Sequence, residues 1–332
     1  MDPLTHAAVG LFLSRAGLNR WTPRATPILI LAAEIPDIDV VTMALGSVSY
    51  LHYHRNLTHS PIAMPLMALL PVVLVRVVGR QPIRWVGAWC AAMVAVASHL
   101  LLDLTNAYGI RLLAPFSEAW QRLDITNVVD FWIWGAVLLG VAGPFLSHLV
   151  GMEMSSGRRR PEYPPRGFAI FALSFLLLYD GGRAVLHARA TAALDARVYR
   201  GEAPLRVAAI PGAANPLRWR GVVETADFYA VDYLNVAGEF DPARADLFYK
   251  PEPGAAIEAA RRAPAVAEML RFAQYPLWRV TPSGELENGH LVEVFDMRFG
   301  DPLEPGIMAR ALVDSENRVV KASFDWGVPQ TR

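Results

Sequence analysis

Charged residues are scarce in this sequence. They make up 19% of its 332 residues, against about 25% in ordinary soluble domains, and the mean hydropathy is positive at +0.27. The deficit is concentrated in the N-terminal half, so the average combines two different kinds of chain. Long apolar runs in that half, with so little charge, predict a polypeptide that enters a lipid bilayer.

Other absences exclude whole classes of protein. The single cysteine, Cys90, lies in an apolar run and can form no disulfide within the chain. The 31 basic residues balance the 31 acidic ones, and no basic stripe is interleaved with aromatic residues, so we expect no nucleic acid partner. The first apolar stretch carries His6 and Arg15 and lacks a basic start, which predicts no cleavable signal peptide.

Six apolar segments precede residue 190. The third, fourth and fifth approach the length of about 20 residues that a helix needs to cross a bilayer, whereas the first is short and the second is broken by charged residues and Pro36. We therefore expect, over residues 1–190, an all-α membrane domain of about four to six apolar helices, some of them re-entrant. The segments are 4–16, 25–45, 61–78, 85–104, 131–150 and 168–187.

Arginines in short loops predict how this domain is oriented. They lie between the first and second segments, between the third and fourth, and between the fifth and sixth, and the positive-inside rule places all three loops in the cytoplasm. Loops 46–60 and 105–130 then face outward, as does the chain after about residue 190. The arginines are Arg15, Arg20, Arg24, Arg76, Arg80, Arg84, Arg158, Arg159, Arg160 and Arg166.

Residues 191–332 are of a different character. Runs in which apolar and polar residues alternate, bounded by Gly, Pro, Asn and Asp, predict antiparallel strands. Residues 254–274 have helical spacing instead. We expect a small α+β extramembrane domain on the extracytoplasmic side.

Histidines and aspartates are concentrated near the apolar segments, and the predicted topology places them on one face, the outer one. Such groups are costly in or near hydrocarbon, which makes a functional role the default hypothesis. Imidazole with carboxylate is the ligand set of hydrolytic zinc or mixed-metal sites. The residues are His6, Asp37, Asp39, His54, His59, His99, Asp103 and Asp130.

Spacing adds detail for four of these residues. His99 and Asp103 are four apart, so a helix presents both on one face, as two ligands or as one ligand and its supporting carboxylate. The alternative is a polar helix end with a solvated aspartate. His54 and His59 are five apart and need a turn between them to reach one point. Arg55, within that turn, suits a phosphate or carboxylate anion.

The remaining candidates allow more than one interpretation. Asp37 and Asp39 share no helical face, so a break near Pro36 is needed if both reach one site; otherwise the segment is a solvated loop that does not cross. His6 alone fits a structural role. Asp130 fits a ligand, a helix N-cap or an interface residue, and Thr58 and Ser60 are expected to orient ligands or cap the next helix.

The motifs MDPLTHAAVG, PDID, HRNLTHS and HLLLDLTNAYGIRLLAPFS together resemble the YdjM-like family of membrane-bound metal-dependent hydrolases, over about residues 1–150. The resemblance implies a helical membrane domain with a divalent-metal site, distantly similar to zinc-dependent phospholipase C and nuclease-type phosphoesterases. On that basis the metal-site positions would be His6, Asp37, His54, His59, His99 and Asp103.

The expected protein is therefore a hydrolase of the bacterial inner membrane that acts on a lipid or lipid-linked phosphoester at the outer boundary. Zinc is the expected metal, with manganese or magnesium as alternatives, and it would activate water. Asp37 or Asp39 would serve as bridging ligand or base, and Arg55 would stabilise the developing anion. The competing hypothesis is a non-enzymatic metal-binding transporter or sensor; a plain membrane anchor would not need so many histidines and aspartates.

Overall fold

The computed structural model of the protein describes residues 1–154 and 166–326, with the side chains of 151–154 excepted. The chain forms two compact units. The helical unit comprises Met1–Asp39, Arg55–Leu186 and Pro211–Pro216. The C-terminal unit comprises Val40–His54, His187–Ile210 and the chain from Leu217. Three arginines of the loop between the fifth and sixth apolar segments lie outside the described residues: Arg158, Arg159 and Arg160.

Helices dominate the first 195 residues. A 3-10 helix, Ile35–Leu45, follows α2 without a gap, and a second short one, Leu57–His59, precedes α4. The α-helices are α1 Pro3–Ala16, α2 Ala25–Glu34, α3 Ser47–Tyr53, α4 Met64–Gly79, α5 Trp85–Thr105, α6 Phe131–Met154 and α7 Arg166–Asp195.

Three helices in the described part of the chain are long and apolar enough to cross a membrane: α5, residues Phe131–Val150 of α6, and α7. The number rises to four if Ser47–His59 and Met64–Gly79 form one broken span. The prediction of an N-terminal helical region with apolar candidate spans is confirmed, and the bent pair is either a broken span or a re-entrant loop. The third apolar segment is shorter than predicted because the chain turns over residues 60–63 and α4 begins only at Met64, with a proline in its first turn.

Small side chains allow α5 to pack closely within the helical unit. Ala88, Ala91, Ala92 and Ala95 on α5 are fully buried in a core that also contains the alanines of α2. Alanine permits the close helix approach that membrane interiors favour. This packing fixes the inward face of α5, and the same face carries the polar residues near its C-terminal end.

The C-terminal unit contains two four-stranded sheets with strand orders β1-β2-β3-β4 and β5-β6-β7-β8. The registered pairs β2–β3, β3–β4, β5–β6, β6–β7 and β7–β8 are antiparallel, which confirms the predicted α+β domain. The strands are β1 Arg206–Pro211, β2 Arg218–Glu224, β3 Phe228–Asn235, β4 Asp246–Tyr249, β5 Pro276–Pro282, β6 His290–Asp296, β7 Met308–Val313 and β8 Val319–Asp325.

The helix predicted over residues 254–274 is two helices, α8 Ala255–Arg261 and α9 Pro264–Phe272. Ala263 between them has extended backbone angles, as expected for a residue that precedes proline. The apolar faces of both helices are buried, so the spacing identified the correct face although the chain breaks.

Candidate metal centre

Four side chains of the helical unit converge on one point. Asp37, His59, His99 and Asp103 each offer one atom, and these four atoms all lie within 4.8 Å of one another. His59, His99 and Asp103 are fully buried, whereas 22% of the Asp37 side chain is exposed. We call these four residues the His–Asp cluster; its Asp37 side is the only one that reaches the surface.

Five distances between ligand atoms of the His–Asp cluster are close to those of a tetrahedral metal site. The Nε2 atom of His59 lies 3.2 Å from Nε2 of His99 and 3.3 Å from an oxygen of each aspartate. Nε2 of His99 lies 3.6 Å from Asp37 Oδ1 and 3.5 Å from Asp103 Oδ2. Four ligands at zinc–nitrogen and zinc–oxygen bond lengths would be about 3.3 Å apart. The cluster could therefore hold a metal ion.

Hydrogen bonds determine which nitrogen of each imidazole faces the cluster as an acceptor. Nδ1 of His99 lies 2.6 Å from the Ala33 carbonyl oxygen, which can only accept. Nδ1 of His59 lies 3.0 Å from the Thr58 hydroxyl, which itself donates to Asp39 at 3.1 Å. Both Nδ1 atoms therefore carry the proton, and both Nε2 lone pairs point into the cluster.

The two carboxylate oxygens of the cluster are poorly satisfied by protein groups. Asp37 Oδ1 and Asp103 Oδ2 are buried and accept no hydrogen bond within the described residues. When both imidazoles are neutral, two nitrogen lone pairs and two carboxylate oxygens face one another here, an arrangement that is costly in a buried site. A divalent cation removes this cost, so the residues present fit a metal.

Local structure explains how these side chains come together. His99 and Asp103 project from one face of α5, as their spacing predicts, near its C-terminal end. The change from α2 to the 3-10 helix at Ile35 is the break that the two aspartates require. Asp37 then faces the imidazoles, while Asp39 accepts a hydrogen bond from the Arg55 amide at 2.8 Å.

Asp39 and Thr58 support His59 from outside the cluster. Asp39 Oδ2 accepts from the Arg55 amide and the Thr58 hydroxyl, and it lies 3.5 Å from Nδ1 of His59. A carboxylate behind a metal-binding imidazole fixes the tautomer and the ring orientation. The role of orienting a ligand that the sequence assigned to Thr58 fits this contact.

Both terminal nitrogens of the Arg55 guanidinium group contact acceptors, whereas its buried Nε atom forms no hydrogen bond within the described residues. Nη2 lies 3.0 Å from Asp103 Oδ1, Nη1 donates to the Gly109 carbonyl at 3.2 Å and to Asn106 at 3.4 Å, and the group lies over the Tyr108 ring. Oδ1 of Asp103 therefore faces Arg55, and Oδ2 faces the imidazoles. These contacts fit a positioning role for Arg55, and the anion-binding role expected from its chemistry stays a prediction.

His6 lies beside the cluster rather than in it. Its ring stacks on His99 with centroids 3.8 Å apart, and its Nε2 atom is 3.4 Å from Asp103 Oδ1. It is fully buried on α1. His6 therefore lies next to the site, but it approaches Oδ1 of Asp103, the oxygen that also contacts Arg55, and not Oδ2.

Two further candidates, His54 and Asp130, are not members of the His–Asp cluster. His54 belongs to the C-terminal unit, where its ring stacks on Tyr50 at 4.5 Å, and its role as a ligand stays a prediction. Asp130 accepts hydrogen bonds from the amide of Trp132 at 3.0 Å and from the Tyr179 hydroxyl at 3.0 Å. Of the three interpretations of Asp130, these contacts are those of the helix N-cap, at the start of α6.

One contributing side chain was missed in the sequence. Asn106 donates to Asp103 Oδ1 at 3.4 Å, and its carbonyl oxygen accepts from the amides of Tyr108 and Gly109. It thereby holds the turn after α5 against the site. Its position three residues after Asp103, on the same helix face, is the signal that could have identified it.

The positions of two tryptophans help to locate the cluster along α5. Trp134 in the first turn of α6 donates from its ring to Asp2, which caps the start of α1. Exposed tryptophans at helix starts mark membrane interfaces, and Trp85 marks the other end of α5. His99 is about 21 Å from Trp85 along a helix that rises 1.5 Å per residue. The cluster therefore lies near the end of α5 that is opposite to Trp85.

Comparison with known proteins relates most of the chain to one family. A family model described as YdjM inner membrane protein matches residues 1–190. The Bacillus subtilis (strain 168) protein named "Uncharacterized protein YfhP" is 24% identical over 311 residues, which cover 90% of this chain and 87% of that protein. No solved structure matches the chain significantly. Every residue of the His–Asp cluster lies within the matched region.

Proposed function

The chain belongs to the YdjM inner membrane protein family, and we propose that it is a membrane-embedded metal-dependent hydrolase that cleaves a phosphoester of a lipid or another amphiphile at the outer membrane–water interface. One observation carries this proposal: two imidazole nitrogens converge with two buried carboxylate oxygens that accept no hydrogen bond within the described residues, and all four atoms lie within 4.8 Å of one another. Imidazole and carboxylate ligands are typical of hydrolytic metal sites, and an ion held here would need one coordination position open to water, on the exposed side of Asp37.

Asp37, His59, His99 and Asp103 would hold the ion. Two imidazoles with two carboxylates at about 3.3 Å spacing suit zinc, and manganese or magnesium are the alternatives because of the carboxylates. When bound, a divalent ion supplies Lewis acidity, which lowers the pKa of water and offsets charge on a phosphoryl oxygen.

The protein residues divide the remaining tasks. Asp37 lies on the open side of the cluster, so we assign it the contact with water and with the departing proton. Asp39 already accepts two hydrogen bonds, so we assign it the orientation of His59. Arg55 holds Asp103 in place and balances part of the negative charge of the cluster.

Exposed apolar side chains near the cluster support an amphiphilic substrate. Ile38 lies between the two aspartates, Leu57 precedes Thr58, and both are exposed. Phe116, with 84% of its surface exposed, lies in a loop that is tied to the site by the hydrogen bond from the Arg111 amide to the Arg55 carbonyl at 2.9 Å. Apolar side chains at headgroup depth are compatible with a substrate held in the bilayer.

Orientation follows from the arginine loops. With these loops in the cytoplasm, the start of α6 and the His–Asp cluster face outward in the bacterial plasma membrane. The C-terminal domain is then extracytoplasmic. We propose this topology because the arginines and the cluster lie at opposite ends of α5.

The first test is the metal content of the purified protein. We expect close to one zinc or manganese ion per chain by inductively coupled plasma mass spectrometry, and its loss in His59→Gln and in His59→Ala/Asp103→Ala. His290→Ala removes an exposed histidine of the C-terminal domain and should retain the metal. His59→Gln keeps the volume of the side chain, so it separates loss of a ligand from loss of the fold.

The second test is turnover. The metal-loaded protein in mild detergent should release the headgroup or phosphate from a lipid phosphoester, and His59→Gln should not. If the His59→Gln protein contains as much metal as the wild type, the assignment of His59 as a ligand is wrong. A metal-loaded protein that hydrolyses no phosphoester would instead favour the transport or sensor hypothesis.

A further inference from the structure

A group of arginines lies at the end of the helical unit opposite to the His–Asp cluster. Two short loops meet there, residues 17–24 and 79–84. The Arg84 amide donates to the Thr22 hydroxyl at 3.0 Å, its guanidinium group lies 3.4 Å from the Arg20 carbonyl oxygen, and Arg24 donates to Gln81 at 3.1 Å. The two loops are therefore joined by hydrogen bonds.

Glycines permit close contact between the guanidinium groups and the neighbouring backbone. A Cβ atom on Gly79 would lie 2.9 Å from Nη1 of Arg24, and one on Gly17 would lie 3.3 Å from Nη2 of Arg166 at the start of α7. Arginines of three chain segments thus meet at one surface. We call Arg20, Arg24, Arg80, Arg84 and Arg166 the arginine cluster.

Acidic residues do not neutralise this cluster. Residues 15–24 and 76–84 contain six arginines and no aspartate or glutamate, and none of the five cluster residues forms an ion pair with a carboxylate in the described part of the chain. Residues 151–165 carry three arginines against two glutamates, so their composition supplies no net negative charge. The surface therefore has a net positive charge, which anions from outside the protein can balance.

The position of the cluster identifies those anions. Trp21 and Trp85 are exposed beside it, and exposed tryptophans mark the headgroup level of a bilayer. The arginines themselves are exposed at the ends of membrane-crossing helices. The guanidinium fork matches phosphate geometry, and basic surfaces between helices at this level bind anionic headgroups.

We propose that the arginine cluster is a binding site for the phosphate of an anionic phospholipid, in the leaflet opposite to the His–Asp cluster. The lipid headgroup bridges the loop before α2 and the loop before α5. Since α5 also carries His99 and Asp103, a bound lipid stabilises the helix on which the metal site is built. Lipid binding at this site does not depend on the proposed hydrolase activity.

The test measures lipid binding without turnover. The detergent-solubilised protein is titrated with phosphatidylglycerol or phosphatidylcholine, and retained lipids are counted by native mass spectrometry. We expect phosphatidylglycerol to be retained preferentially, and Arg24→Gln/Arg84→Gln to bind it about thirty-fold more weakly, or about fivefold for each arginine. Arg262→Gln, which removes an exposed arginine of the C-terminal unit, should bind like wild type.

Arg80→Gln provides a check on folding, because the Arg80 side chain forms no hydrogen bond with the described residues that this change would break. It should weaken binding about fivefold with an unchanged melting temperature in phosphatidylcholine. Equal retention of both lipids by wild type, or wild-type affinity in the double variant, would overturn the proposal. The metal content measured on the same samples reports separately on the hydrolase proposal.

Discussion

Asp103 is the residue on which the site depends most, because its two oxygens face opposite partners. Oδ1 faces Arg55 and His6, and Oδ2 faces His59 and His99. The carboxylate therefore balances a buried guanidinium group and also completes the His–Asp cluster. A substitution that keeps one of these functions and removes the other separates stability from metal binding.

Asp103→Asn should make that separation. An asparagine oxygen can still accept from Arg55, while its amide nitrogen would point a donor at the imidazoles, so metal binding should be lost. Asp103→Ala leaves Arg55 buried without its carboxylate, which costs about 3–5 kcal/mol. We expect both variants to lose metal by mass spectrometry, and only Asp103→Ala to show the large drop in melting temperature. Equal melting temperatures for the two variants would contradict the assignment of separate roles to the two oxygens of Asp103.

The sequence predicts part of this site and omits the rest for a physical reason. His99 and Asp103 were paired correctly because helical spacing is local, and Pro36 signalled the break that presents Asp37. The role of Arg55 was predicted from its chemistry alone, and only the tertiary structure shows that its two terminal nitrogens already contact Gly109 and Asp103. The stacking of His6 on His99 likewise depends on how α1 packs, which no local pattern encodes.

At the scale of elements, the approach of α1 to α2 places His6. Gly10 is the contact point: a Cβ atom there would lie 2.5 Å from the Leu29 carbonyl oxygen and 2.9 Å from the Cα atom of Ile30. Both are backbone atoms that cannot rotate away. The two helices can therefore pack at this distance only with glycine at position 10.

Gly10→Ala should consequently separate α1 from α2. We expect a loss of about 1–3 kcal/mol of stability, the usual cost of overpacking, and weaker metal binding as His6 moves from His99. Gly135→Ala is the matched control on α6, since nothing lies within 4 Å of its added Cβ atom. Thermal unfolding of both variants checks this, and equal melting temperatures would contradict the packing argument.

In the C-terminal unit, one carboxylate links three strand regions. Glu224 at the end of β2 accepts from Arg206 of β1 at 2.7 Å and from Lys250, just after β4, at 3.0 Å. Burial alone would raise the pKa of the Glu224 carboxyl, but the two cationic partners hold this pKa below its ordinary value. A carboxyl with a lowered pKa in the folded state stabilises the fold above its unfolded pKa of about 4.3.

This contribution should disappear in acid. As the pH falls below about 4.3 and through the lower pKa of the folded state, Glu224 takes up a proton and its stabilisation is lost. Glu224→Gln has no such group, so the melting temperature of wild type should exceed that of the variant at pH 7, and the difference should shrink as pH falls through this window. A difference that stays constant down to pH 3 would show that the ion pairs do not stabilise the sheet.

At the scale of the whole molecule, the chain crosses between its two units within the metal-site sequence. Asp39 and Arg55 belong to the helical unit, and Val40–His54 between them belongs to the C-terminal unit. The hydrogen bond from the Arg55 amide to Asp39 closes the base of this segment. Movement of the segment would therefore strain the residues that orient His59.

The C-terminal unit holds this segment through α3. Nδ1 of His52 lies 3.1 Å from Glu268 on α9, and the Ser47 hydroxyl donates to the Phe324 carbonyl at 3.4 Å. If α3 and the His–Asp cluster are energetically coupled, each must affect the other by the same factor. Zinc should therefore slow amide hydrogen exchange in α3 and α9.

The reciprocal effect is the sharper measurement. His52→Ala and Glu268→Gln should each weaken zinc binding about two- to fivefold, the scale of one partly exposed ion pair. Arg318→Ala breaks an exposed pair with Asp314 in the same unit and should leave zinc affinity unchanged. Zinc titration of the three full-length variants tests this coupling. If all three variants bind zinc with wild-type affinity, the contacts of α3 have no effect on zinc binding at the His–Asp cluster.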